Sequence, residues 1–319
     1  MTTILITGAS GFIGSRVTHW AARAHPDARL RLLRHHRAPA AAPAHATVVT
    51  GDVTDPDTLT RICADVDVLV HCSSCVAGPP DACAAVNAAG TRALVGEAAR
   101  AGVRRIVYVS TAAVYGRGPF RDATVEELRR APVSDASRSR AEAEDAVLAA
   151  DGTVLRPHLV HGAGDRWVGP GITRLARALP FTVDGWRSLH SVITVDDLAR
   201  LAVAAATAPS RALRGRAYHA NHPSPVSART LLRYFARRAG LSLPHRNVSL
   251  EQARTHLRAH GHSTHDLDLL ATDHWFHSTG IWRDTGCVPH PDPALSPDSP
   301  GRDVHHRCRQ ERQPRWQET

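Results

Sequence analysis

Over the first half of the chain, short apolar runs alternate with longer stretches that repeat apolar residues at helical spacing. TILIT, RLRLL, ATVVT, VDVLVH, RRIVYVS and GTVLRP are compact and rich in β-branched residues, which predicts strands. Between them the spacing predicts helices over Phe12–Ala24, Asp57–Ala64, Asp81–Ala101 and Asp135–Ala150. Strands that alternate with helices in this way form a parallel, doubly wound α/β sheet, because each parallel crossover needs a helix to return the chain. The second half is less regular. GAGDRWVGPG reads as a loop leading to a helix near Ile172–Ala178, and TVDDLARLAVAAATA and SARTLLRYFARRAG read as helices with the strand RAYHAN between them. From Pro289 the chain is rich in Pro, His and Arg and predicts a poorly ordered tail over 289–319.

Composition narrows the picture. With 319 residues, 43% of them hydrophobic, the chain can bury a sizeable core. The net charge of +9 is carried by arginine alone, since the sequence contains no lysine. The arginines are spread along the chain and not interleaved with aromatics, so no nucleic-acid partner is expected. No apolar run reaches the length of a membrane span, and the first residues pass straight into a strand without a leader-like segment. The six cysteines (63, 72, 75, 83, 287, 308) lack the spacing of a secreted disulfide scaffold, which leads to the expectation of a cytoplasmic protein. Cys72 and Cys75 form a CxxC, read here as small residues on a cofactor loop. The 21 histidines include no HExxH-like frame, and no metal is expected.

The strand ILIT runs into GASGFIG, which places Gly8, Gly11 and Gly14 as GxxGxxG ahead of a helix. Glycine there permits a tight turn and lets backbone N–H groups approach a pyrophosphate at the helix N-terminus, where the dipole favours negative charge. Ser10, Phe12 and Ile13 complete this candidate contact surface. An acid commonly closes the second strand of such a unit and binds a ribose 2′-hydroxyl. This chain instead has Arg34, His35, His36 and Arg37. A guanidinium suits a 2′-phosphate that a carboxylate would repel, so NADP(H) is expected over NAD(H).

TGASGFIG, GDVTD (51–55), the strand ending at His71, VNAAGT (86–91), VSTAAVYG (109–116), LRPHLVHGAGD (155–165) and SVITVDDLAR (191–200) together resemble the extended short-chain dehydrogenase/reductases, the NAD-dependent epimerase/dehydratase group. A worn copy of that family's C-terminal segment spans 274–295. The resemblance implies a Rossmann domain over 1–165, with 190–220 returning to it, and a smaller interwoven substrate domain from 166–189 and 221–288. It also implies that Asp52 and Val53 flank the adenine and that Ser73 and Ser74 line the dinucleotide. Pro157 and His158 are then expected near the nicotinamide, with Asn87 as a structural contact.

The same family works with a Ser/Thr, a Tyr and a Lys, the last two in a YxxxK turn. Its PxSxYxxSK frame falls on Pro132, Ser134, Ala136, Ser139 and Arg140, with Thr111 at the Ser/Thr position. Ala136 replaces the tyrosine and Arg140 the lysine. Arginine can still donate to ribose hydroxyls, but alanine transfers no proton. His158 is retained as a candidate acid beside Thr111 and Arg140, and Tyr115 as a more remote one. Ala112 and Ala113 stand where sugar-nucleotide dehydratases need acids, and a 4-epimerase needs the tyrosine. Simple ketone reduction survives these losses best. The combination resembles the atypical extended reductases of actinomycete antibiotic pathways, implying a polycyclic aromatic ketone as small-molecule substrate. Trp167, Phe181, Trp186 and Trp275 are candidates for a flat apolar cleft. Two other readings stand beside this one, a non-catalytic NADP-binding sensor or scaffold and a sugar-nucleotide epimerase using unusual residues.

Overall fold

A computed structural model describes residues 1–36, 42–209 and 211–292. Arg37 and Cys308 therefore lie outside the described residues. In chain order the elements of the first half are β1 (Thr3–Thr7), α1 (Phe12–Ala24), β2 (Arg29–Arg34), β3 (Ala46–Thr50), α2 (Pro56–Leu59), β4 (Val68–His71), α3 (Pro80–Cys83), α4 (Gly90–Arg100), β5 (Arg105–Val109), β6 (Phe120–Ala123), α5 (Asp135–Ala149) and β7 (Thr153–Arg156). The second half adds β8 (Leu159–His161), α6 (Val168–Ala178), β9 (Thr182–Val183), β10 (Leu189–His190), β11 (Val192–Thr194), α7 (Val195–Thr207), β12 (Ala217–His219), β13 (Val226–Ser227), α8 (Ala228–Arg238), β14 (Asn247–Val248), α9 (Leu250–Ala259), α10 (His265–Ala271), β15 (His274–Phe276) and α11 (Thr279–Thr285).

Seven parallel strands form the main sheet in the order β12-β7-β5-β4-β1-β2-β3. Strand order reverses beside β1, so the C-terminal ends of β1 and β4 open a crevice where such folds bind ligands. Ile4, Ile6, Val70 and Val109 pack to one side with residues of α1, α7 and α11, while Leu5, Leu69, Ile106 and Tyr108 pack to the other with α4 and α5. Both faces are covered, which is why these strands read as near-continuous apolar runs rather than alternating ones.

Two expected helices differ in detail. The segment 57–64 is helical only to Leu59, because Arg61 and Asp65 adopt positive φ and break the ladder. The segment 81–101 begins at Pro80 and passes through a π-helical stretch at Ala84–Ala89 before α4. A smaller four-stranded sheet, β13-β10-β15-β6, carries the far end of the molecule. Its strands are two to four residues long, too short to show a period in sequence. Composition places 289–292 in the tail, yet these residues dock. His290 N–H donates to Asp197 Oδ2 at 2.9 Å, and Asp292 pairs with buried His161 at 2.9 Å.

Candidate active site

The turn after β1 is built on close backbone approach. Gly8 sits at φ +67°, and Gly11 N–H donates back to Gly8 O at 2.8 Å. A Cβ on Gly14 would lie 2.1 Å from Gly8 O, and one on Gly8 would lie 2.8 Å from the Cys72 carbonyl carbon. The helix α1 then begins at Phe12 with Gly11 as N-cap and no side-chain cap. Its first N–H groups therefore face the crevice without a side-chain acceptor, an arrangement that suits a pyrophosphate.

A buried relay holds the neighbouring loop in place. Thr7 Oγ1 accepts the N–H groups of Cys72 and Ser73 at 3.2 and 3.3 Å and lies 2.6 Å from His71 Nδ1. His71 Nε2 reaches Thr91 Oγ1 at 2.9 Å. Burial, reinforced by the Arg140 charge, pushes the His71 pKa down to about 3, so the ring is neutral at neutral pH. Asn87, fully buried, ties the same loop to α5. Its Oδ1 accepts from Cys75 N–H and Ser74 O–H, and its Nδ2 donates to Cys75 O and Ser139 Oγ, at 2.8–3.2 Å. Cys75 Sγ lies 3.5 Å from Cys83 Sγ, so the contact of the CxxC is with a third cysteine and not within the motif.

At the end of β2, Arg34 donates to Thr50 Oγ1 at 3.0 Å and His35 pairs with Asp52 at 2.9 Å. Asp52 also accepts the Thr54 N–H at 2.9 Å, and Val53 lies beneath Gly90, where a Cβ would come within 2.8 Å of Val53 O.

The helix α5 starts where its sequence predicts. Ser134 caps it, and the Ser134 and Ser137 side chains satisfy each other's backbone in a capping box. Ala136 is half-buried on its first turn. Arg140, one turn on, donates through Nη2 to Val109 O at 2.9 Å and leaves Nε buried without a partner. Thr111 caps the turn after β5, its Oγ1 accepting Ala113 N–H at 3.1 Å. Pro157 O takes the Ala112 N–H at 2.8 Å, which brings the Pro157–His158 segment against that turn. His158 is anchored by its own N–H to Asn221 Oδ1 at 2.7 Å. Burial, and then the neighbouring His274 and His190 rings, hold its pKa well below the usual histidine range.

Tyr115 is engaged elsewhere. It accepts from Arg156 Nη1 at 2.7 Å and meets His219 Nε2 at 2.8 Å, while His219 Nδ1 lies 3.2 Å from His277 O. The carbonyl fixes the proton on Nδ1, so Nε2 accepts and Tyr115 donates. Burial pushes the Tyr115 pKa up to about 12. Arg156 in turn forms a two-pronged pair with fully buried Glu144 at 2.6 and 3.0 Å, which Ser110 completes at 2.5 Å. Sequence reasoning missed this network. Its only trace was a glutamate one turn after Arg140 on the face that α5 buries.

Of the four aromatics expected to line a cleft, two are core residues, and Trp275 on β15 is half-buried. Phe181 and Trp186 are 8% and 4% exposed within the core of the smaller unit, whereas Trp167 is 59% exposed. Gly185 and Trp186 both sit at positive φ, +68° and +51°, in the tight turn that ends with the buried Trp186 ring. A groove of about 730 Å³ between α6 and α8 is lined instead by Gly162, Asp165, Pro170, Arg174, Arg177 and Phe235. No helix among the described residues is long and apolar enough to cross a membrane.

Residues 5–251 match the 3-beta hydroxysteroid dehydrogenase/isomerase family. A 2-alkyl-3-oxoalkanoate reductase of Stenotrophomonas maltophilia is 27% identical over 315 residues, covering 90% of this chain and 94% of the relative. A 4-hydroxy-2-methyl-3-oxo-4-farnesyl-3,4-dihydroquinoline-1-oxide ketoreductase of Stigmatella aurantiaca is 27% identical over 259 residues, covering 78% and 77%. The fold is shared with the Bordetella bronchiseptica enzyme WbmH in complex with NAD+, at a TM-score of 0.71 and 21% identity over 91% of this chain and 94% of that one. The chain belongs to the 3-beta hydroxysteroid dehydrogenase/isomerase family and is an NAD(P)-dependent oxidoreductase of the extended short-chain dehydrogenase/reductase type.

Proposed function

From membership of that family we infer an NADPH-dependent ketoreductase that reduces a ketone of an aromatic polyketide. We take the substrate to be an angucyclinone-type polycycle, as for the ketoreductase of simocyclinone biosynthesis. The observation that carries this reading is a tight glycine turn at the uncapped start of α1 beside a capped α5 that has Arg140 but, at Ala136, no proton donor. In this reading Gly8, Ser10, Gly11, Phe12, Ile13 and Gly14 hold the pyrophosphate, Asp52 and Val53 the adenine side, and Ser73 and Ser74 the dinucleotide. Arg34, with Arg37, meets the 2′-phosphate, and Arg140 supplies its charge at the ribose. Pro157 and His158 bound the nicotinamide end. The bound cofactor supplies the hydride.

Thr111 accepts from Ala113, which leaves its O–H to donate to the substrate oxygen. Tyr115 is spent in its buried network and His158 is neutral, so neither supplies a proton readily. General acid catalysis contributes about 10²–10⁴-fold, whereas positioning can contribute about 7–11 kcal/mol. A ketone flanked by a phenol carries its own hydrogen-bond donor and needs least from residue 136. The likeness to a ketoreductase named for a ring ketone on a quinoline supports this substrate class. The test is NADPH oxidation with a phenol-flanked polycyclic ketone and with a matched ketone lacking the phenol. Turnover of the first and at least about tenfold less of the second is expected; equal rates would remove the substrate-assisted account.

A second reading, a nucleotide-binding protein without turnover, draws on Arg140, whose Nη2 is committed to Val109 O. Tight NADPH binding with no turnover of any such ketone would select it.

A further inference from the structure

At the nicotinamide end, where the reading above places His158, that residue meets two further histidines from distant parts of the chain. His158 follows β7, His190 ends β10 and His274 opens β15, and one ring nitrogen of each lies within 4.8 Å of the others. Their centroids form a near-equilateral triangle of 6.1, 5.4 and 6.1 Å, with ring planes inclined by only 11°, 15° and 14°. Near-parallel rings at the corners of a triangle are not a stacked column. Three imidazoles turned toward one ion at a Zn–N distance of about 2.0–2.1 Å would have centroids about 5–5.5 Å apart, so the observed spacing needs a small contraction and a rotation of the rings.

The hydrogen bonds assign the lone pairs. His190 Nε2 faces Leu270 O at 3.2 Å, so that nitrogen carries the proton and Nδ1 the lone pair. His274 Nδ1 faces Thr272 O at 2.9 Å, which likewise leaves the lone pair on Nε2, where the Gly118 N–H donates at 3.2 Å. Metal-binding histidines characteristically give their second N–H to a backbone carbonyl in this manner, which fixes the tautomer and the ring orientation. Meanwhile His190 Nδ1 and His158 Nε2 are both buried without any partner. Buried polar atoms are normally paired, and two unpartnered imidazole nitrogens beside a third ask for a shared partner; with the His158 proton on Nδ1 that partner is an electrophile. Asp273, adjacent to His274, is the acid that faces the group, and Arg121 neutralises it at the surface side.

We propose that His158, His190 and His274 bind a single zinc-class divalent cation through His158 Nε2, His190 Nδ1 and His274 Nε2. Binding draws the rings together by about an ångström and replaces the long Gly118 contact at the third ligand. Neutral imidazoles suit late first-row ions. The ion joins the end of the main sheet, through His158, to the smaller sheet that carries His190 and His274. The proposal shares His158 with the reductase reading, but metal binding is read without turnover, so failure of either is seen separately.

The full chain, stripped with a chelator, is titrated with Co²⁺ and then back-titrated with Zn²⁺. One Co²⁺ per chain with visible d–d bands, displaced by one Zn²⁺ and accompanied by a rise in Tm, is the expected result. His158→Asn and His190→Asn should each weaken Co²⁺ binding by at least about tenfold. The pair His256, half-buried against Phe181, and exposed His260 on α9, with ring centroids 4.2 Å apart, is the obvious adventitious binder. His256→Ala/His260→Ala should leave the bands unchanged. Absence of d–d bands in the wild-type chain would overturn the proposal. So would bands that survive in both His158→Asn and His190→Asn, or that vanish with the α9 pair; because the wild-type titration stands alone, a variant that fails to fold does not rescue it.

Discussion

The nucleotide crevice and the first turn of α5 descend from one family pattern and have fared differently. In the crevice the atoms that matter are backbone, and every glycine that lets them approach is present; a methyl at Gly14 would sit 2.1 Å from a carbonyl oxygen. On α5, in the reading proposed above, the atoms that matter are side chains, and Ala136 and Arg140 stand at those positions on a helix with a full capping box and buried contacts. The contrast teaches that the scaffold around a reactive group can be retained apart from the group itself. The α5 helix is held by Ser134, Ser137, Ser139 and Glu144, none of which depends on what stands at 136.

The sharpest break in the comparison is Gly14→Ala. Its Cβ has no space against Gly8 O, so the crevice should lose NADPH affinity by at least about 100-fold, with loss of Tm, while α5 keeps its local structure. Isothermal titration and thermal unfolding read both. On the other side, Glu144→Ala removes the acid of a buried pair and strands Arg156. A loss of about 3–5 kcal/mol in urea unfolding is expected, because an uncompensated buried charge remains. Glu144→Ala as stable as wild type would show that the helix is not held as described.

An intermediate effect comes from pH. His71 and His219 have folded pKa values of about 3, below the ordinary histidine value of 6.5, so between these limits the unfolded chain binds more protons. Stability is therefore complete above about pH 6.5 and is lost as pH falls toward 3, by up to about 1.4 kcal/mol per pH unit for each ring. Urea unfolding at pH 7.5 and 5.5 should show that fall, and His71→Asn should flatten it by about one ring's share. A smaller effect is expected at the edge of the crevice. Arg34→Ala should raise KM for NADPH about tenfold and leave that for NADH nearly unchanged. Equal changes in both would sink the assignment of the 2′-phosphate to this end of β2.

The main sheet was legible because both faces of its strands are covered, giving unbroken apolar runs such as VDVLVH and RRIVYVS with helical stretches between them. The glycine turn and the altered dyad were legible because they are local patterns with fixed offsets. The smaller sheet was not, since its pairings join two- to four-residue strands from distant segments, as His190 with His274. Aromatic residues were misleading for a related reason: hydrophobicity says that Phe181 and Trp186 are buried but not whether they face a core or a ligand. The histidine triangle and the Glu144–Arg156 pair exist only through tertiary contact, and no spacing announces them.

In the proposed function, hydride transfer proceeds without an acid at position 136. The direct measurement is kcat for NADPH-dependent reduction of a phenol-flanked polycyclic ketone by the wild-type chain and by Ala136→Tyr/Arg140→Lys, which restores the family's pair. Wild-type turnover that changes by less than about tenfold in the double variant is the predicted result. A silent wild type made active by the double variant, or a gain of about 10²-fold or more, would show that the missing tyrosine was the lost chemistry after all.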